Sequence, residues 1–404
     1  MTGEERGRRP RAAHLPALDG LRGLTVAAVF LFHCGVPWMS GGFLGVSTFF
    51  TLSGFLITAL LRAEWQIRGR VDLGRFWERR VRRLVPAGVV AVAAVLVLAP
   101  WLGDDGQRRT LPGDARAALF YWANWHFAAA PTSYADLFEA PSLLLHTWSL
   151  GVEAQFYLVF PLLMMLAARW RGRVGMGLAV STLGLGSALA CVWVSRGADA
   201  FDRVYYGTDT RALELLVGAV AALLPGRLAP RADGTTRMGV VVAGTLALAG
   251  QVALWTATTM SAPWVTRGGL GTYALGSTLV ILAALEPRSP VRTLLAWAPL
   301  CRLGEISYGV YLLHWPIVLW LTPEGTGLSP FATNCLRAAL TVLLAGASYR
   351  WIEAPVREGR WWPRGRVFVP AVLSSVILAA MTAALPVPAV DPVNAYEALR
   401  SPRP

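Results

Sequence analysis

A cation and an imidazole are spaced along the first apolar stretch of the chain so that both would lie on one face of a helix. Arg22 and His33 are separated by ten residues, all apolar or glycine except Thr25. Eleven helical steps of about 100° bring His33 back to the face of Arg22, roughly 16 Å further along the axis, or about half a bilayer core. Because ionisable groups inside a membrane are costly and usually functional, His33 is a candidate general base. A structural histidine, hydrogen-bonded between two helices, would have the same spacing.

A carboxylate on a later apolar stretch is the natural partner for that imidazole. Ser149, Glu153 and Tyr157 are spaced four residues apart and share one helix face. Glu153 would lie roughly 13 Å from the outer start of its helix, within a turn or two of the depth of His33. A carboxylate at that depth needs a partner. We therefore predict His33 and Glu153 as a catalytic pair, with Ser149 and Tyr157 in supporting positions.

Two further polar groups lie on later apolar stretches. Arg211 and Glu214 are three residues apart, which predicts an ion pair on one helix. Tyr311 and His314 share a helix face in the ninth stretch, and His314 is the alternative partner for Glu153. We place these four residues on the side of the site that would meet a substrate.

A run of arginines precedes the third apolar stretch. Arg79, Arg80 and Arg83 lie in the segment Phe-Trp-Glu-Arg-Arg-Val-Arg-Arg-Leu-Val-Pro. Clustered guanidinium groups bind phosphates through bidentate hydrogen bonds, so these three residues are candidates for a phosphate-bearing ligand. Anchoring to anionic lipid would use the same residues, and composition does not separate the two roles.

The second apolar stretch carries a stripe of small and polar residues. The stripe steps by four, three and four residues through Ser47, Thr51, Gly54 and Thr58. Small residues allow two membrane helices to approach closely. The alternative is that the stripe lines a narrow passage for an extended ligand, which Ser53 and Gly54 would then contact.

Aromatic residues concentrate in the segment 103–143, between the third and fourth apolar stretches. The part from Ala117 to Phe127 contains Tyr121, Trp122, Trp125 and His126, and we predict it as one interfacial or re-entrant helix. Aromatic residues at this position usually form an interfacial belt. Stacking on a sugar would use the same residue types.

The composition indicates a polytopic, all-α membrane protein. Of the 404 residues, 55% are hydrophobic and only 15% are charged. Eleven stretches qualify as candidate spans: 17–36, 43–61, 84–102, 144–167, 174–194, 211–225, 238–257, 268–285, 303–321, 332–350 and 367–387.

The distribution of arginine predicts the orientation of the chain. All 37 basic residues are arginine, and 26 of them fall in or beside alternate connections, starting with the N-terminal segment, against nine in the opposite set. By the positive-inside rule, the N-terminus is cytoplasmic, residues 62–83 are cytoplasmic and the C-terminus is extracytoplasmic. The net charge of +13 therefore reflects topology, and nucleic-acid binding is not expected. The four cysteines lack metal-ligand spacing, so neither a metal site nor a disulfide framework is predicted.

Seven motifs in order resemble those of the acyltransferase-3 membrane family, which includes O-antigen and peptidoglycan O-acetylases. They are the Arg22–His33 spacing, FFTLSGFLIT, FWERRVRRLVP, HTWSLGVEAQFYL, TRALELLVG, SYGVYLLHWPI and YRWIEAPVR, and they cover roughly residues 15–357. The resemblance implies an acyl-CoA donor on the cytoplasmic side and a hydroxyl acceptor on the outer side. It identifies Arg22 and His33 as the essential arginine and histidine, Arg80 and Arg83 as an RxxR donor pair, and Glu153 as the WSLxxE glutamate.

The resemblance also predicts the domain boundaries of the chain. A cytoplasmic basic tail, 1–14, would precede a transmembrane acyltransferase domain, 15–357, of about ten helices. A cytoplasmic loop and an eleventh helix, 358–388, and an extracytoplasmic tail, 389–404, would follow, without the SGNH esterase-like domain that many members carry.

The expected function is O-acylation of an envelope glycan by an integral membrane enzyme. Acetyl-CoA or another acyl-CoA would be the donor substrate, with no bound cofactor, and membrane lipid would surround the protein. O-acylation of a small molecule such as a macrolide is the alternative acceptor. A transporter or flippase is the alternative class, since intramembrane Arg, Glu and His also mark ion pathways, but the repeated halves typical of transporters are absent from the sequence.

Overall fold

A computed structural model describes residues 15–129, 141–197, 200–224, 236–362 and 365–385. The predicted tails, 1–14 and 389–404, lie outside the described residues. All regular secondary structure in the described residues is helical, in agreement with the all-α prediction. The described residues fall into two compact units, the first within Met1–Leu73, Phe156–Tyr311 and Val342–Gly346, and the second within Gly74–Gln155, Leu312–Thr341 and Ala347–Pro404.

Nine α-helices lie between residues 16 and 257 among the described residues. They are α1 Pro16–His33, α2 Gly45–Arg68, α3 Leu73–Leu102, α4 Asp105–Leu119, α5 Ala123–Ala128, α6 Trp148–Val194, α7 Ala200–Tyr206, α8 Thr208–Leu223 and α9 Met238–Ala257. The backbone of α6 leaves helical geometry at Arg171 and Gly172, where Gly172 has a φ of 55°.

Eight more α-helices follow among the described residues. They are α10 Leu270–Leu285, α11 Pro290–Leu295, α12 Ala298–Glu305, α13 Ser307–Trp320, α14 Pro323–Thr326, α15 Pro330–Ser348, α16 Ala354–Glu358 and α17 Phe368–Met381. Single π-helical turns, Val265–Gly269 and Tyr349–Glu353, lead into α10 and α16.

Six described helical segments are long and apolar enough to cross a membrane: Pro37–Arg68, Leu73–Leu102, Leu145–Val194, Met238–Ala257, Val265–Leu285 and Pro330–Glu358. They contain seven of the eleven predicted spans, because the break in α6 separates 144–167 from 174–194. The other four predicted spans coincide with helices that are shorter or less apolar. For example, the predicted span 303–321 is divided between α12 and α13 at Ile306.

Close helix contacts in the first unit fix the helix that carries Arg22 and His33. A Cβ atom at Gly20 of α1 would overlap the carbonyl of Leu295, and one at Gly304 of α12 would overlap the carbonyl of Asp19. Backbones can approach this closely only where side chains are absent. The core beside this contact consists of buried apolar residues from α1, α2, α8, α9, α10 and α11, among them Leu21, Phe55 and Ile281.

The second unit has a core of its own around α3 and α4. Buried residues of α3, including Val95 and Leu96, pack with Leu111 of α4 and with Leu143 and Leu144 just before α6. Asp104 caps α4, since its side chain accepts a hydrogen bond from the backbone of Gln107 at 2.7 Å. This core packs α4, Leu143 and Leu144 against α3.

Candidate functional site

Arg22 and His33 both lie on α1, in the first unit. The Arg22 guanidinium is 3.7 Å from the carboxylate of Asp19, one turn earlier. Both Arg22 and His33 are half-buried. His33 is the last residue of the helix, because Gly35 then takes a φ of 68° and the chain turns away. The predicted span 17–36 therefore ends three residues early, with the imidazole at the C-terminal end of the helix.

The stripe on α2 packs against α8. A Cβ atom at Gly54 would overlap the carbonyl of Leu215, and one at Gly218 would overlap the carbonyl of Thr51. This packing accounts for Gly54 without a ligand, so the helix-contact alternative holds at this position. The role of Gly54 in donor binding stays a prediction.

Ser53, which precedes Gly54 of the stripe, forms a hydrogen bond with another predicted site residue. The Tyr157 hydroxyl donates to Ser53 Oγ at 3.2 Å. Tyr157 is buried on α6, whereas Ser53 is half-buried. The sequence predicted these residues for different parts of the site, and the structure joins them through one hydrogen bond.

The predicted ion pair between Arg211 and Glu214 is present in the first unit. Arg211 Nε lies 3.1 Å from Glu214 Oε1, and both residues are 1% exposed. The guanidinium carbon lies 5.3 Å from the ring centroid of Phe50 and 5.0 Å from that of Tyr205. Cation–π contacts and the carboxylate thus balance the buried charge of Arg211.

A polar cluster that the sequence did not indicate lies nearby in the same unit. The Tyr273 hydroxyl lies 3.1 Å from Thr48 Oγ1 and accepts a hydrogen bond from Trp255 Nε1 at 2.9 Å. Ser277 Oγ lies 3.2 Å from Thr48 Oγ1 and accepts from Gln251 Nε2 at 2.6 Å. This cluster ties α2 to α9 and α10. Tyr311, the remaining predicted residue of this unit, is buried on α13.

In the second unit, the arginine side chains of the run on α3 differ in their exposure to solvent. Arg79 is exposed, and Arg80 and Arg83 are half-buried. Arg82, which was not among the predicted site residues, is buried. It donates to Glu78 Oε1 at 3.0 Å and to the carbonyls of Val356 and Trp362 at 2.8 and 2.7 Å. The four-residue spacing of Glu78 and Arg82 was the available signal for this ion pair.

His314 lies beside a second histidine, His146, which was not predicted as a site residue. The ring centroids of His146 and His314 are 5.6 Å apart, and both residues are buried. His146 Nε2 donates to the Leu312 carbonyl at 3.1 Å, and Ser149 Oγ donates to the His146 carbonyl at 3.4 Å. Two predicted residues, Ser149 and His314, are thus brought together around His146, the first residue of the HTWSL motif.

Glu153 is half-buried on α6, one turn beyond Ser149. It belongs to the second unit, whereas His33 belongs to the first. The catalytic pairing of His33 with Glu153 stays a prediction. Within the described ranges, no group of three or more His, Cys, Asp or Glu side chains is arranged to hold a metal ion.

Comparisons with known proteins identify relatives of this chain. The sequence profile of the acyltransferase-3 family, described as an acyltransferase domain, matches residues 15–383. The peptidoglycan O-acetyltransferase OatA of Listeria monocytogenes is 37% identical over 352 residues, which are 85% of this chain and 56% of the relative. The putative peptidoglycan O-acetyltransferase YrhL of Bacillus subtilis is 37% identical over 360 residues, which are 85% of this chain and 55% of the relative.

A third relative, the O-acetyltransferase OatA of Staphylococcus aureus, is 35% identical over 356 residues, which are 85% of this chain and 57% of the relative. The chain thus spans little more than half the length of these curated relatives. No solved structure matches. The profile match over most of the chain and the apolar helices lead to one conclusion: this is a multi-pass membrane protein that belongs to the acyltransferase-3 family.

Proposed function

We propose that this chain is a membrane O-acyltransferase that moves an acyl group, by default acetyl, from cytoplasmic acyl-CoA to a hydroxyl of an extracytoplasmic glycan such as peptidoglycan. The observation that carries the proposal is the 37% identity over 352 residues with a relative named as a peptidoglycan O-acetyltransferase. The family profile match, 15–383, contains the helices on which all the predicted site residues lie.

In the proposed reaction, His33 is the general base. Its neutral imidazole takes the proton of the acceptor hydroxyl while the hydroxyl oxygen forms a bond to the thioester carbonyl carbon. The tetrahedral intermediate then collapses, the carbon–sulfur bond breaks, and the imidazolium returns the proton to the CoA thiolate. Glu153 orients the imidazole and stabilises its charged form, as the aspartate does in a serine-protease triad. The half-buried position of His33 at the end of α1 supports access by a substrate.

The donor is proposed to bind at the cytoplasmic ends of α1 and α3. Arg22, Arg79, Arg80 and Arg83 would bind its phosphates through charge-assisted hydrogen bonds, with Ser53 and Gly54 along the path of its pantetheine arm. The partial exposure of Arg80 and Arg83 supports this role, because a phosphate can reach these side chains. Acyl-CoA is a substrate here, and the proposal includes no resident cofactor.

The acceptor side is proposed to include Ser149, Tyr157, Arg211, Glu214, Tyr311 and His314. The burial of the Arg211–Glu214 pair and of His314 beside His146 supports this, because charged and polar groups are retained inside apolar helices mainly where they act.

The proposed topology has eleven spans, a cytoplasmic N-terminus and an extracytoplasmic C-terminus. The distribution of arginine supports it. Introducing a cysteine by Asp72→Cys, with the native cysteines removed, tests it: a membrane-impermeant maleimide added to whole cells should leave position 72 unlabelled. External labelling at this position would contradict the cytoplasmic donor site.

The catalytic assignment is tested with the full chain in lipid nanodiscs, acetyl-CoA and a soluble peptidoglycan fragment. We expect His33→Ala to lose acetyl ester formation, measured by mass spectrometry, while CoA binding persists. Glu153→Gln should lose most of the rate with the fold intact. Cys34→Ser is the matched control, because Cys34 adjoins His33 and could otherwise be taken for a thiol nucleophile. Activity retained in His33→Ala would contradict the general-base role and favour His314.

A further inference from the structure

We propose that α4, α5 and the turn between them carry a carbohydrate-binding site, formed by Trp122, Trp125 and an Asp114–His126 dyad. The inference rests on the proposed function for its ligand class, a glycan chain, and extends it to residues outside the predicted catalytic site. All four residues belong to the second unit, and their contacts within that unit carry the argument.

A buried carboxylate fixes the imidazole of His126. Asp114, on α4, accepts a hydrogen bond from His126 Nε2 at 2.8 Å and another from Ser142 Oγ at 2.6 Å. The Asp114 side chain is 4% exposed, whereas that of His126 is 29% exposed. Because the carboxylate binds Nε2, Nδ1 is the ring nitrogen that can bind a further group, and the orientation of the ring is set in advance.

A sharp turn places the aromatic residues beside this imidazole. The helix predicted from Ala117 to Phe127 is wrong as a single element, because the chain leaves α4 after Leu119 and begins α5 at Ala123. At the turn, Tyr121 has a φ of 58°, the left-handed region that residues other than glycine rarely adopt. Backbone strain of this kind persists where surrounding contacts require it, and it is frequent at binding sites.

The two tryptophans present partly exposed rings in defined positions. Trp122 is 45% exposed, and its ring lies edge-to-face with that of His126, with centroids 5.5 Å apart. Trp125 is 36% exposed, and its Nε1 donates to Gln155 Oε1 at 3.2 Å. The Gln155 amide donates in turn to the Tyr121 carbonyl at 3.0 Å. The hydrogen bonds of Gln155 therefore hold Trp125 against the strained turn.

This combination fits a sugar better than a membrane interface. A pyranose has an apolar face that stacks on an aromatic ring and hydroxyl groups around its edge that need hydrogen-bond partners. Ligand sites combine aromatic walls with a few fixed polar groups in this way. An interfacial belt requires only the tryptophans and has no use for a buried carboxylate that orients a partly exposed imidazole.

The test is a calorimetric titration of the full chain in nanodiscs with a β-1,4-linked tetramer of N-acetylglucosamine. We expect Trp122→Ala and Trp125→Ala each to raise the Kd about tenfold, and His126→Ala to raise it roughly fivefold, as for one lost hydrogen bond. Trp122→Phe, which keeps a ring, should retain most of the affinity. Trp101→Ala is the matched control, because Trp101 is 75% exposed in the last turn of α3 and should leave the Kd unchanged.

An unchanged Kd in both tryptophan variants, or an equal loss in Trp101→Ala, would overturn the proposal. Absence of tetramer binding by the unmodified protein would overturn it as well. Acetyl transfer from acetyl-CoA to a peptidoglycan fragment is measured in parallel on the unmodified protein. If the unmodified protein binds the tetramer but transfers no acetyl group to the fragment, the proposed function fails and the binding site stands. If it transfers acetyl groups but does not bind the tetramer, only the binding site fails.

Discussion

Each unit of the molecule carries an arginine–glutamate pair on a helix, and the two pairs differ in their surroundings. In the first unit, Arg211 and Glu214 are both fully buried, and the guanidinium lies between aromatic rings. In the second unit, Arg82 pairs with the half-buried Glu78 and also donates to two backbone carbonyls of the segment that follows α15. The first pair is enclosed by side chains, whereas the second connects one helix to a distant part of the chain.

This difference supports the proposed division between an ion pair that takes part in the reaction and an arginine that serves the fold. A fully buried ion pair contributes little net stability, because the cost of desolvation offsets most of the attraction between the charges. Its presence at Arg211 and Glu214 therefore favours a role in the proposed reaction. An arginine that satisfies backbone carbonyls has a sufficient structural reason to be present.

The largest expected effect follows from removing one charge of the buried pair. Arg211→Ala should destabilise the protein by about 3–5 kcal/mol, because it leaves the carboxylate of Glu214 buried without its cation. Glu214→Ala should have a comparable effect. The apparent unfolding temperature in detergent, compared with that of the unmodified chain, measures the loss.

A double variant sharpens this prediction. Arg211→Met combined with Glu214→Leu removes both charges and keeps apolar volume, so it should recover much of the stability lost in either single variant. Acetyl transfer should not recover with it. Recovery of both would show that the pair serves the fold alone.

The second-largest expected effect on stability concerns Arg82 of α3, and its neighbour Arg83 should behave differently. Arg82→Ala should cost about 2–3 kcal/mol of stability, because it removes charge-assisted hydrogen bonds to Val356, Trp362 and Glu78. Arg83→Ala should change stability by less than about 0.5 kcal/mol and raise the KM for acyl-CoA. Stability and donor kinetics measured on both variants check the division. A donor KM that rises equally in both would contradict it.

The contrast between these sites also explains what the sequence could and could not predict. The Arg211–Glu214 pair was predictable because both partners lie within one helical turn, and local spacing determines whether they meet. The hydrogen bonds of Arg82 to Val356 and Trp362 were not predictable. Every residue has a backbone carbonyl, so residue type does not indicate an acceptor more than 270 residues away. The turn at Tyr121 was missed for a related reason, since tyrosine rarely takes a positive φ and gives no turn signal.

The same reasoning applies to the elements of the fold. Long apolar stretches such as 238–257 predicted helices with correct bounds, because hydropathy and helix length are both properties of the local sequence. The predicted span 17–36 was three residues too long at its C-terminal end, because α1 ends where Gly35 takes a positive φ, and the predicted span 303–321 merged parts of α12 and α13. The pairing of His33 with Glu153 is a non-local expectation, argued from depth alone.

A smaller effect is expected where α8 is held against α2. Gly54→Ala would place a methyl group on the carbonyl of Leu215 and should cost about 1–3 kcal/mol through overpacking. The matched control is Gly177→Ala on α6, where a Cβ atom would meet nothing within 4 Å. The control should be neutral or more stable by up to about 1 kcal/mol, because alanine favours helix over glycine. Thermal unfolding of the two variants in detergent measures the difference, and equal losses would contradict this packing role.

The smallest effect concerns an exposed counterpart of the buried pair. Arg203 donates two hydrogen bonds to the carboxylate of Asp209, at 2.8 and 2.7 Å, in the first turn of α8 and before the predicted span 211–225. Burial by itself would raise the pKa of Asp209, but the hydrogen bonds from Arg203 hold this pKa below its ordinary value of 3.8. Since more than a third of each side chain is exposed, solvent screening limits the contribution of the pair to less than about 1 kcal/mol.

The direction in which pH changes the stabilisation by the Arg203–Asp209 pair follows from the lowered pKa of Asp209. A carboxyl whose pKa falls on folding stabilises the fold above its unfolded pKa, and the contribution disappears as the pH falls through the lower, folded value. Asp209→Asn should therefore reduce stability slightly at neutral pH and leave it unchanged once the pH lies below the lowered, folded pKa of Asp209. Unfolding temperatures of both proteins, measured from pH 7 to about pH 2, should approach each other only below pH 3.8. A difference that persists or grows toward acid would assign the loss to packing rather than to charge.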